Sequence, residues 1–400
     1  MTTPMTTPGP LPMTTLMPPM FPLDETQTQL QDSLSRWLAE HAPFERRAAL
    51  LAKPEAIAPL WRGLAQELGL LGAGLPETAG GLGGGLADHL VILQALGHAL
   101  LPEPYTACAV IGAGLLQRLP GEPPRRLLAG LVQGAVRPVL AALEPGARHD
   151  LAQVQTRLHA VGPGSVDAPC LSGRKTVVRA APQATHWLVS ARDAAGGLRL
   201  ALVMPDAAGV SCRPLRLADG SWGAELGFDH TPVDALLGEP GVDALSLLEQ
   251  VTDEAQLATG AEAIGVMQRL LRDTLDYVRQ RKQFGMPLAN FQVLQHRLAD
   301  MHLALLQASA LVGATLADMA GPPAQRRRAV ASAQVAVARA ARTVGQGAVQ
   351  LHGGMGMTDE LVIGHGFKRL TLIEQLMGGV DVHLRQVARL GALASPGATA

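Results

Sequence analysis

Cysteine is scarce in this 400-residue chain: Cys108, Cys170 and Cys212 are an odd number, and no C-x-x-C pair occurs. That argues against a disulfide framework or a cysteine-rich zinc site, and it fits a reducing, cytoplasmic setting. Aromatic residues make up only 3% of the chain and the formal net charge is −1. Nothing here marks a nucleic-acid face or a partner at a strongly anionic membrane. No run of about twenty apolar residues is available to span a bilayer. Residues 1–22 lack a basic start followed by a continuous apolar core, and their Pro/Thr/Met repetition reads as a disordered tail rather than a signal peptide.

What is abundant is small and aliphatic. Hydrophobic residues are 48%, mostly Ala, Leu and Val, a composition that favours packed helices. After a tail over 1–23, residues 24–138 show helical periodicity, with Leu30, Leu34, Trp37 and Leu38 on one face and Trp61, Leu64, Leu68 and Leu71 on another. The glycine-rich run Leu75–Gly85 lacks the Gly-Lys-Ser/Thr of a phosphate loop and reads as a turn. Residues 139–242 change texture to short apolar runs bounded by Gly, Pro and Asp, the pattern of a small β-domain with a hairpin signal at Asp219-Gly220. Residues 243–395 return to long helices, roughly 244–282, 289–319, 325–352 and 370–393, which predict a four-helix bundle. The fold class is therefore α+β and mostly α. Arg326, Arg327 and Arg328 open one of these helices and read as a solvated first turn, with an anion site as the alternative.

Two stretches carry the functional signal. Arg281–Met301 contains Arg281, Phe284, Gly285, Gln292, Gln295, Ala299, Asp300 and Met301, and Gln350–Gly379 contains Gln350, Gly353, Gly354, Gly356 and Glu360. In these residues and their order the chain resembles the acyl-CoA dehydrogenase family. The resemblance implies an N-terminal helical domain, a middle β-barrel-like domain and a C-terminal four-helix bundle. It also implies oxidation of an acyl-CoA thioester to the 2,3-enoyl-CoA, with FAD as hydride acceptor, an electron-transfer flavoprotein as the next acceptor, and an oligomer. Arg281 would meet the FAD pyrophosphate, for which a planar guanidinium is suited; alternatively it is an exposed helix-end cation. Gln283, Phe284, Gln292, Gln350, Gly353 and Gly354 complete the set of cofactor contacts that the resemblance implies.

The chain departs from the family where the chemistry occurs. Counting from Lys368-Arg369 places the family's catalytic glutamate on Met377; counting back from Arg385 places it on Gly378. The alternative base position of a minority of the family falls on Ala255, and its arginine neighbour on Gln256. Asp253, Glu254, Glu262, Glu374 and Asp381 are the local carboxylates, of which Glu262 and Asp381 are candidate substitutes for the base. The flavin-contacting motifs also change. LEPGARHD (Leu143–Asp150) keeps Glu144, Pro145 and Asp150 but loses a Thr and a Ser; SGRKTVVR keeps Gly173 and Lys175 but carries Val177 and Arg179 where an aromatic and a hydroxyl belong. This pattern resembles the small, base-lacking subunits of heteromeric acyl-CoA dehydrogenases, such as the pimeloyl-CoA and steroid side-chain enzymes. Three readings stand: one subunit of such a heteromer, a self-sufficient flavin dehydrogenase with a relocated base, or a non-catalytic scaffold.

Overall fold

The computed structural model describes residues 19–102, 104–159 and 169–393; most of the tail, 1–18, lies outside them. Helix α1 (Glu25–His41) begins at a capping box, in which the Asp24 carboxylate accepts from Gln27 N at 2.8 Å and the Gln27 side chain accepts from Asp24 N at 3.3 Å. These contacts satisfy two of the donors a helix start leaves open. Short helices α2 (Arg47–Leu51) and α3 (Ala58–Gln66) follow, then α4 (Leu86–Ala99), a π-helical turn over Thr106–Gly112 continuing into α5 (Ala113–Leu116), and α6 (Glu122–Val132).

Eight strands come next: β1 (Pro138–Ala141), β2 (Arg157–His159), β3 (Cys170–Arg179), β4 (His186–Arg192), β5 (Leu198–Val203), β6 (Val210–Arg216), β7 (Trp222–Pro232) and β8 (Ala235–Leu237). They form one mixed sheet in the order β6-β7-β3-β2-β4-β5-β8, with β1 parallel to β4. Asp219-Gly220 turns β6 into β7 as the sequence predicts, with Gly220 at φ 84°. Strand β3 carries two register irregularities against β7, the second between Lys175 and Val178, and there Val177 takes φ 48°. A β-branched residue in that region is a true outlier, and such strain collects at functional sites.

The rest is helical: α7 (Leu245–Gln280), a two-strand hairpin β9 (Lys282–Gln283) and β10 (Met286–Pro287), α8 (Gln292–Leu316), α9 (Pro323–His352), α10 (Val362–Met377) and α11 (Gly379–Leu393). The predicted final helix over 370–393 is thus two helices, because Gly378 and Gly379 hold φ of 109° and 68° and the chain turns there. Helix α7 packs against α4, α8, α9 and α10. It lies so close to α4 that a Cβ at Gly265 would fall 1.9 Å from the Gln94 carbonyl oxygen. Among the described residues, α8 is the one helix apolar and long enough to cross a bilayer by composition alone. It is a bundle helix, its inward row formed by Leu298, Met301, Leu305, Ala308 and Val312.

A buried ion triad and a buried ion pair fix this arrangement. Arg369 on α10 donates to Glu262 on α7 at 2.6 Å and to Asp219 in the β6–β7 turn at 2.8 Å. Burial opposes its charge, but Glu262 and Asp219 hold its pKa above the ordinary arginine value. Arg47 on α2 donates to the Asp219 and Leu100 carbonyls, so the cluster ties together the helical N-terminal part, the sheet and the bundle. The ion pair corrects a sequence reading. Arg326 is not in a solvated turn; it is buried and donates to Asp253 at 2.8 Å, while Arg327 pairs with Glu249. Arg326 lies on the face of α9 that packs against α7, while Arg328 and the rest of the first turn stay exposed as expected.

Two measurements test these pairs. Arg369→Met leaves two carboxylates buried without their cation and should lower the unfolding free energy by about 3–5 kcal/mol in urea titrations; an unchanged midpoint would show that the cluster contributes nothing. Burial pushes the Asp253 carboxyl up to about 6 even beside Arg326. Its folded-state pKa therefore lies above its unfolded one, so its contribution is complete below about pH 4 and is lost as pH rises through about 6. Relative to Asp253→Asn, the protein should lose roughly 2 kcal/mol between pH 4 and pH 7.5.

Candidate active site

One group of predicted residues gathers at the far end of the bundle. The last turns of α7 and α9 meet there, with the Tyr277 and His352 rings stacked at 4.2 Å between centroids. Arg281 ends α7 and is exposed, and its carbonyl accepts from Leu288 N, which closes the β9–β10 hairpin. The hairpin tip is Phe284-Gly285, both with positive φ, the form of a type I′ turn. Phe284 is 88% exposed. A bulky aromatic held left-handed and turned to solvent carries two costs at one residue. Gln283, Gln292 and Gln350 are exposed, and a Cβ at Gly353 or Gly354 would meet nothing within 4 Å. Met286, Val293, Met355 and Met357 add exposed apolar surface. A flat, amphipathic group with a diphosphate fits this end of the bundle: an aromatic face, a cation, side-chain amides and open backbone are all presented outward.

A second group surrounds a cavity of about 140 Å³ between the sheet, the π-helical turn and α7. Ala107 and Ile111 come from the π-helical turn, Val177 and Arg179 from β3, Ala255 and Gln256 from α7, and Leu376 from the end of α10. The structure thus brings to one wall Ala255 and the residue next to 377–378, the positions on which the sequence resemblance places the family's bases. Val177 and Arg179 reach the same cavity, so the changes seen in the motifs fall together in space. The motif residues that the chain retains do something else. Glu144 and Lys175 form a buried ion pair at 2.7 Å, and Lys175 also donates to the Ala142 carbonyl and Ser190. Glu144 accepts from the Gln155 and Thr156 amides and the Thr156 hydroxyl. Burial takes the Lys175 pKa down to about 8 against the pull of Glu144. The pair fastens the loop after β1 to β3 and leaves the neighbouring side chains to line the cavity.

The candidate substitute bases are placed differently from the expectation. Glu262 does not line the cavity; its Oε1 is held by Arg369, and Oε2 is buried without a hydrogen-bond partner. Two helical turns along the same face of α7 carry it into the ion-pair cluster instead. Asp253, Glu254 and Glu374 are likewise held by arginines: Arg326, Arg118 and Arg342. Asp381 is exposed in the first turn of α11 and lines an adjoining cleft with Arg342, Glu374 and Arg385. Sequence reasoning missed His149, which lines both the cavity and that cleft. The signal was present, since His149 stands where the family motif has its serine.

Known proteins with this architecture share both ends of the chain. The family models described as acyl-CoA dehydrogenase N-terminal domain and C-terminal domain match residues 24–122 and 246–391. Benzylmalonyl-CoA dehydrogenase of Aromatoleum aromaticum is 32% identical over 317 residues, 76% of this chain and 81% of that protein. A solved single-site variant of the Tcur3481-Tcur3483 steroid ACAD is 31% identical with a TM-score of 0.82, covering 92% of this chain and 98% of the other. The ChsE4-ChsE5 complex from Mycobacterium tuberculosis is 25% identical with a TM-score of 0.83, over 94% and 100%. By fold, by both terminal segments and by these relatives, this chain belongs to the acyl-CoA dehydrogenase family.

Proposed function

We propose that this chain works as one subunit of a heteromeric, FAD-dependent acyl-CoA dehydrogenase, completing the flavin pocket of a partner that carries the catalytic carboxylate. The observation that supports it most is Phe284, strained and 88% exposed at the outward-facing end of the bundle beside Arg281. That end suits a cofactor held mainly by another subunit, whereas Val177 and Arg179 replace the ring contacts in the chain's own cavity. The likeness to a two-component complex agrees with this assignment. FAD supplies the hydride acceptor when bound. Arg281 would pair with its diphosphate, Phe284 would cover an apolar face, and Gln350 with Gly353 and Gly354 would receive its other end. Units over 24–138, 139–242 and 243–395, a cytoplasmic setting and an electron-transfer flavoprotein as the final acceptor belong to the same reading.

Co-expression with a base-bearing acyl-CoA dehydrogenase subunit from the same genome, followed by an absorption spectrum, tests it. The chain alone should be pale and the complex yellow. A yellow, active chain without any partner would favour the self-sufficient reading, and a complex that never takes up flavin would leave only a scaffold. Arg281→Ala should weaken flavin retention in the complex about tenfold to hundredfold, the range of one charge-assisted contact. Replacing the partner's carboxylate by Gln should cut turnover by roughly 10² to 10⁴, while Asp381→Asn should leave it nearly intact and Glu262→Gln, which removes one of Arg369's two counter-charges, should lower stability rather than the turnover of the folded complex.

A further inference from the structure

The cavity that collects the empty base positions is not without a titratable group. Its lining contains two ionisable side chains, Arg179 and His149, and an arginine does not give up its proton at neutral pH. His149 stands in the loop after β1, one residue before Asp150, and reaches across to the turn between α10 and α11. A Cβ built on Gly378 would lie 3.6 Å from His149 Cδ2. The imidazole therefore rests beside one of the two positions, Met377 and Gly378, on which the sequence resemblance places the family's glutamate. No hydrogen bond or ion pair holds the ring among the described residues. One edge of His149 faces the apolar cavity and the other opens to the cleft lined by Arg342, Asp381 and Arg385, a path along which a proton can leave.

We propose that His149 is the proton acceptor of this chain's own cavity, taking the α-proton of an acyl thioester bound there in place of the missing carboxylate. The step breaks the Cα–H bond and forms an N–H bond on the imidazole. The electron pair stays on Cα and spreads onto the thioester oxygen. The step is reversible: the imidazolium returns a solvent-exchanged proton to Cα, so the exchange needs no oxidant. Burial lowers the His149 pKa from its ordinary value, which favours the neutral ring that can accept a proton.

This inference rests on the acyl-CoA reading above, and its test is separate from the flavin tests. The assembled complex, with the partner's carboxylate replaced by Gln, is incubated in D₂O with acetyl-CoA, whose two-carbon acyl group has no β-carbon to oxidise. Mass spectrometry then reads deuterium at Cα. Exchange should be well above the buffer rate and should fall at least about tenfold in His149→Ala and in His149→Ser, which carries the family's own residue. Added imidazole should restore exchange in His149→Ala, which a merely structural histidine would not allow. Unchanged melting curves and flavin content show that the variants fold. No exchange above buffer, or equal exchange in all three proteins, overturns the proposal. So does tighter acetyl-CoA binding by His149→Ala without exchange in the parent, which would make the ring a plug. Failure here with flavin still bound across the interface leaves the heteromer reading standing; loss of flavin binding itself would strike that reading instead.

Discussion

The contact on which the rest of the structure depends is the charge cluster around Arg369. One guanidinium lies between a carboxylate on the central helix α7 and another in a hairpin turn of the sheet, and Arg47 closes the group from the N-terminal side. Burying these charges is costly, and their mutual attraction offsets that cost only when every partner is in place. Such a group therefore constrains geometry more than it adds stability. Rotating α10 about its axis, or sliding the sheet along α7, would leave a buried charge uncompensated. Leu376 lies seven residues beyond Arg369, two turns along the same face, and faces the cavity. The same cluster thus sets where the Met377–Gly379 turn meets the β-unit.

This constraint also explains why the nearby carboxylates are poor substitutes for a lost base. Four of the five acids near the bundle core are paired with arginines. For the two buried acids, Asp253 and Glu262, accepting a substrate proton means giving up that partner, at a cost of several kcal/mol. The chain has kept the scaffold of its family's site, including the Glu144–Lys175 pair that fastens the loop after β1, while changing what projects from it. Val177, Arg179 and His149 all sit on that retained frame and all face the same space.

The far end of the bundle behaves in the opposite way. There the motif residues are retained, yet within a single chain they hold almost nothing. A left-handed Phe284, open glycines and exposed methionines are unfavourable in isolation and become favourable only when covered. On the proposed reading, one molecule therefore has an altered cavity on one side and an open half-site on the other. That asymmetry is what a subunit built to complete another would show.

The sequence by itself determined the family, the order of helical and strand regions and the Asp219-Gly220 hairpin. Each of these is written in local periodicity, turn chemistry or short motifs, where neighbours in the chain are neighbours in space. Only the tertiary structure decided what the remaining polar residues do. Glu262 and Arg369 are 107 positions apart, and Asp219 and Arg369 150 apart; no local pattern predicts those pairs. Arg326 looked like a solvated helix start because its burial depends on where α7 lies. His149 looked like a lost serine until the fold brought it against Gly378. Periodicity tells which face of an element is buried, but the partner that a buried charge finds is settled only when distant segments pack together.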